Sequence, residues 1–243
     1  MTPPRREMVE LAAFAAEHGC RGSVANRLVT EGRDVKSYSS CGDLVHACLY
    51  ACGCRGSWIN RVEHGGWKSG VNLSRLWHLW QRDDAGRFIA RLAWLLPGDF
   101  ILLDGDTPRA HVCVVVSVSD DRTRMVTADY GQPGGKLLRD LPINVTAAGT
   151  TIIRGRRWTH HASLSDVPWA EPAQTVGDWA LARGAPELAD LWHRDGLVAD
   201  RLWSDEDRRR VEAEQAPRPT GMAPTAPPTR AAAVAAVARR SAR

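Results

Sequence analysis

The feature that most limits the fold is a change of periodicity at Pro97-Gly98-Asp99. Before that turn, apolar residues recur at the three- and four-residue spacing of amphipathic helices. Residues 7–18 make one such helix, with Met8, Leu11, Ala12, Phe14 and Ala15 inward and Gly19 as its stop. Further helical segments fall over 24–30, 73–81 and 87–95. After the turn the pattern becomes short and β-branched: residues 100–103, 110–118 and 123–130 read as strands, with a fourth at 150–153 that extends toward Trp158. Helices first and an antiparallel meander afterwards is the pattern of an α+β domain.

At 243 residues and 44% hydrophobic, the chain can bury a sizeable core. A domain over 1–165 is expected, followed by a helical appendage over 166–215 in which 175–183, 186–193 and 204–214 are short helices. The tail over 216–243 is Pro, Ala, Thr and Arg, a composition that cannot bury enough surface to order itself. A net charge of +4, with acidic and basic residues interspersed, calls for no nucleic-acid partner. No apolar run approaches the roughly 18 residues of a membrane span, and the start does not read as a signal peptide, so synthesis in the cytoplasm is the expectation. Four cysteines crowd into 41–54 without Cys-x-x-Cys pairs, which argues against a secreted disulfide framework and against a metal site; no cofactor is expected.

The chemistry concentrates in Tyr38-Ser39-Ser40-Cys41-Gly42-Asp43-Leu44-Val45. Ser40 is a good N-cap with Asp43 three residues on, so a helix starts near Cys41 and runs through Leu44, Val45, Cys48 and Leu49 to a C-cap at Gly53. A thiol on the first turn meets free N–H groups and the positive end of the helix dipole, which lower its pKa. Cys48 and Cys52 fit a buried structural thiol better. If the second and third strands form a hairpin about residues 120–121, His111 lies opposite 129–131. A register that pairs His111 with Asp129 puts both side chains on one face, while a slip of one residue separates them. Each residue alone has a structural explanation: a satisfied core histidine, a turn-forming aspartate. Together they supply a nucleophile, a base and an orienting acid. There is no Gly-x-Ser-x-Gly elbow, His-Glu-x-x-His or phosphate loop to suggest another chemistry.

Three short motifs carry a resemblance. Ser40-Cys41-Gly42-Asp43-Leu44-Val45, Pro97-Gly98-Asp99-Phe100-Ile101-Leu102 and Ala110-His111-Val112-Cys113-Val114-Val115 are similar to the NlpC-like and CHAP-like branch of papain-fold cysteine hydrolases, over roughly residues 20–160. The resemblance implies a papain-like α+β fold, with a nucleophile-bearing helix packed on an antiparallel meander. It implies Cys41 as nucleophile, His111 as base and Asp129 as the third member. Amide cleavage follows from it, most often in peptidoglycan, by an enzyme carried on a phage particle or exported without a classical signal. The opening Ser40-Cys41-Gly42 departs from that family's commoner Asp-Cys-Ser or Asn-Cys. The backbone N–H of Cys41, with Tyr38 or Ser39, is the expected oxyanion site. Among the tryptophans, Trp58 and Trp67 are candidates to line a substrate cleft. The alternatives are an inactive binding or virion structural module, an intracellular amidase, and an acyl transferase.

Overall fold

A computed structural model describes residues 2–18, 41–54, 90–105, 107, 110–129, 138–167, 169–182, 186, 190 and 198–216. Among these, six strands form a closed antiparallel barrel: β1 (Phe100–Leu103), β2 (His111–Val118), β3 (Arg124–Ala128), β4 (Leu138–Val145), β5 (Thr151–Ile153) and β6 (Arg156–Ala162). The last strand returns to pair with the first, Phe100 opposite Ala162 and Ile101 opposite His161. This corrects the papain-like α+β expectation. A meander keeps two open edges, whereas here β6 closes the sheet and removes them.

Two strands account for the difference. The sequence of β4 reads as polar because Arg139, Asp140, Pro142 and Asn144 dominate it, yet Leu141 and Ile143 alternate inward between exposed neighbours. The run taken as a fourth strand reaching Trp158 is two strands. Arg154 and Gly155, both at positive φ (49° and 75°), form a two-residue hairpin turn between β5 and β6.

The barrel interior is filled by alternate residues of the strands, among them Ile101, Leu103, Cys113, Val115, Met125, Leu141, Ile153 and Trp158. The outer face of β1 and β2, with Phe100, Leu102, Val112 and Val114, is covered by α1 (Arg5–His18) and α2 (Cys41–Ala51). Covered on both faces, β2 is buried along its whole length and reads as a continuous apolar run. Helix α2 ends in a Schellman arrangement, Cys54 N–H to Leu49 C=O and Gly53 N–H to Tyr50 C=O, with Gly53 at φ 89°. A Cβ there would lie 1.9 Å from the Glu171 carbonyl oxygen, so only glycine fits.

The register of β2 against β3 shifts by one residue between Val115 and Ser117, a bulge centred on Val116. The C-terminal elements α3 (Val176–Ala182), α4 (Val198–Leu202) and α5 (Asp205–Gln215) follow the barrel in sequence. The segment from α4 to α5 serves backbone groups at the bulge. Trp203 Nε1 donates to the Val116 carbonyl at 2.9 Å, and the Val118 N–H donates to Asp207 at 3.0 Å. Glu10 of α1 accepts from the first N–H groups of α4, those of Val198 and Ala199.

The Pro97-Gly98-Asp99 turn ties α1 to α5. Asp99, fully buried, accepts from Arg5 at 2.6 Å, His161 at 2.8 Å and the N–H groups of Leu96 and Leu164. Arg5, equally buried, also pairs with Glu214 of α5. Burial alone would raise the Asp99 carboxyl, but Arg5 and His161 hold it down at about 2. A depressed carboxyl contributes stability that is present above its unfolded pKa, near 4, and is lost as pH falls through about 2. Asp99→Asn is expected to cost about 3–5 kcal/mol at pH 7, because it removes one of the two carboxylates that balance the buried guanidinium of Arg5, and to flatten the loss of stability between pH 4 and 2. Denaturant titration across that range measures both effects.

Candidate active site

Cys41 opens α2, where its backbone lies at the amino end of the helix and the residue is 8% exposed. The thiol meets the side chain of His111 and the backbone N–H groups of Val112 and Gly42. Val112 lies near the start of β2, just beyond the last residue pair that β2 and β3 share, Val114 with Ala128. His111 opens β2 opposite Leu103, and its Nε2 hydrogen-bonds Asp129 Oδ1. With Nε2 so engaged, Nδ1 is the nitrogen left to meet Cys41. Asp129 follows β3 directly, and its second oxygen accepts from Thr127 Oγ1 at 2.6 Å.

The bulge decides this geometry. Beyond it, Val114 pairs with Ala128 and Val115 with Thr127, so continuing the register sets Asp129 opposite Cys113. Cys113 and His111 are two residues apart and share a face. Had the earlier register, Ser117 with Val126, continued unbroken, Asp129 would stand opposite Val114 on the other face. The expected direct pairing of His111 with Asp129 is therefore corrected to a diagonal one, and the two side chains still meet.

Burial pushes the Cys41 thiol up, but the hydrogen bond and charge of His111 and the two backbone N–H groups outweigh it, so its pKa is lowered. Burial pulls His111 down, but bonds to Asp129 and Cys41 and their charges raise it to about 9. Burial likewise opposes the Asp129 charge, which His111, Thr127 and Arg139 restore, so that carboxyl is lowered. All three shifts favour a thiolate, an imidazolium and a carboxylate in one chain of hydrogen bonds. The other thiols differ: burial alone pushes Cys48 up, and burial together with nearby negative charge pushes Cys52 and Cys113 well up.

Cys41, His111 and Asp129 are thus brought together. Tyr38, Ser39, Trp58 and Trp67, together with the Ser40 cap, lie outside the described residues. Thr127 and Cys113 escaped the sequence reading although each sits two residues from a named site residue, on the same strand face; the signal was parity, legible only once the register is known. His111, Cys113 and Asp129 also set ligand-capable atoms within 4.8 Å of one another. No described helix is long and apolar enough to cross a membrane. The chain matches no family model and no curated protein, and its fold matches no solved structure.

Iodoacetamide labelling of Cys41 should persist at pH values well below the free-thiol pKa of about 8.5. In His111→Ala, burial is opposed only by the two backbone N–H groups, and the rate at pH 6 should fall at least about tenfold. Peptide mapping of the labelled protein across pH 5–9 reads this; equal acid reactivity in both proteins would contradict the Cys–His pair.

Proposed function

We propose that this chain is a cysteine hydrolase that cleaves an amide bond through an acyl-enzyme, with peptidoglycan peptide as its substrate class. The observation that carries the reading is the buried hydrogen-bonded chain from Cys41 through His111 to Asp129. The substrate class rests on the short motifs about Cys41, Asp99 and His111, and the closed barrel lends it no support.

The steps follow from the charges. The Cys41 thiolate attacks the carbonyl carbon, forming a C–S bond and moving the carbonyl electrons onto oxygen. The first N–H groups of α2, that of Cys41 foremost, receive the oxyanion in this reading, since a helix start leaves them without helical partners. The intermediate collapses as the C–N bond breaks, and the imidazolium of His111 delivers its proton to the departing amine. Neutral His111 then draws a proton from water. The resulting attack forms a C–O bond, the C–S bond breaks, and thiolate and imidazolium are restored. Asp129 keeps the ring oriented and balances its charge throughout, as the third member does in triads on unrelated folds.

Incubation with purified muropeptides should release a new amine and carboxylate, detectable by mass spectrometry. Cys41→Ala should abolish release, and Asp129→Ala should lower kcat by about 10²-fold or more with little change in KM. Turnover that survives in Cys41→Ala would refute the reading. The absence of any cleavage or acyl-enzyme with a protein whose Cys41 is acid-reactive would refute the substrate class and favour another amide or an acyl acceptor other than water.

A further inference from the structure

The Nε2 side of His111, where Asp129 is bonded, is built from groups the hydrolytic chemistry does not fully use. Cys113 sits two residues along β2 from His111 on the same strand face, and the register sets Asp129 opposite it. All three are buried, and their donor atoms lie within 4.8 Å of one another. Cys113 takes no part in the nucleophile chemistry. We propose that His111 Nε2, Cys113 Sγ and the Asp129 carboxylate form a binding site for a thiophilic divalent cation, best suited to zinc, and that its occupation silences the Cys41 site.

The donor set selects the class of ion. One sulfur, one imidazole nitrogen and one carboxylate oxygen match zinc, which takes bonds of about 2.0–2.3 Å to these atoms in tetrahedral geometry. Calcium and magnesium, which prefer oxygen alone, are excluded by the same set. The carboxylate is already oriented for this: Thr127 Oγ1 donates to Oδ2 at 2.6 Å, fixing the group from behind and leaving Oδ1 as the oxygen turned to His111. Such an outer hydrogen bond is the usual support of a metal-binding carboxylate. The ion enters by opening the His111–Asp129 hydrogen bond. Binding displaces the proton of Nε2 and the proton of the Cys113 thiol to solvent, so two positive charges arrive and two leave. Three protein donors leave a fourth position for water.

The consequence follows from which nitrogen is taken. A ring held through Nε2 cannot cycle between imidazolium and imidazole, so it no longer gives a proton to a leaving amine and regains it from water. This regulatory consequence rests on the hydrolase reading; the binding does not.

Cobalt serves as the spectroscopic stand-in for zinc. Titration of the metal-free full-length chain with Co²⁺ should saturate at one equivalent, show thiolate-to-cobalt charge-transfer absorption, and release about two protons per ion. Cys113→Ala should lose that absorption, and Cys41→Ala should keep it. Circular dichroism of each variant checks that it is folded, and Cys113→Ser provides a second variant of similar size. If the absorption vanishes in Cys41→Ala and survives in Cys113→Ala, the ion sits on the nucleophile and the proposal is wrong. No absorption in the native chain overturns it equally. Zinc added to a native protein that cleaves muropeptides should abolish turnover, while Cys113→Ala should keep both its basal turnover and its activity in zinc. Tight binding without any cleavage would sink the hydrolase reading and spare the site; cleavage indifferent to one bound equivalent would sink the regulatory consequence.

Discussion

One extra residue in β2 sets the relation between the two strands that form the site. Strand side chains alternate with a period of two, so an odd shift of register exchanges the faces of everything beyond it. The bulge at Val116 is such a shift, and it brings Asp129 to the face of β2 that carries Cys113 and His111. A bulge also disturbs the ladder and requires partners for the backbone groups beside it. Those partners come from the distant C-terminal segment, Trp203 for the Val116 carbonyl and Asp207 for the Val118 N–H. The same segment is tied to the N-terminal helix through Glu214 and Arg5, and through Arg5 to Asp99 of the turn that begins the barrel. Helix α1, the segment from α4 to α5, the barrel start and the bulge form one connected support under the site.

Burial sets the electrostatics of that site. The charged form of each group in it is opposed by desolvation and favoured by its neighbours: Cys41 by His111, His111 by Asp129 and Cys41, Asp129 by His111 and Thr127. Removing His111 leaves the other two without their common partner in a poorly solvated place, and removing either of them takes away one of the ring's two supports, so the three are coupled. The lowered Cys41 thiol contrasts with Cys48 and Cys52, where burial meets no compensation, and with Cys113, where Arg156 and Thr127 do not offset burial and the nearby negative charges. The chain thus separates a reactive thiol from inert ones by position: Cys41 at a helix start facing a histidine, Cys48 in the interior of the same helix.

What the sequence disclosed follows from the range of each signal. A cysteine at a helix start, a histidine opening a β-branched run and an aspartate closing the next strand are local patterns, and they led to Cys41, His111 and Asp129. The closure of the barrel depends on β4 and β6 finding distant partners, and neither strand has a strong local pattern. Leu141 and Ile143 are outnumbered by charged and polar neighbours and interrupted by Pro142, while Arg156, Arg157, His160 and His161 make β6 look like a surface segment. The bulge left no mark at all, since Val114-Val115-Val116 contains no glycine to signal it. The Asp99 cluster was hidden because its partners, Arg5, His161 and Glu214, are brought together only by the closed fold.

The most direct test of this account is the protonation state of His111, followed by nuclear magnetic resonance of ¹⁵N-labelled imidazole as pH is raised. The imidazolium should persist through neutral pH and titrate at about 9, with the midpoint falling below the ordinary value of about 6.5 once Cys41→Ser and Asp129→Asn together remove its two supports. A His111 ring already neutral at pH 7 in the native protein would contradict the charged chain on which the site depends.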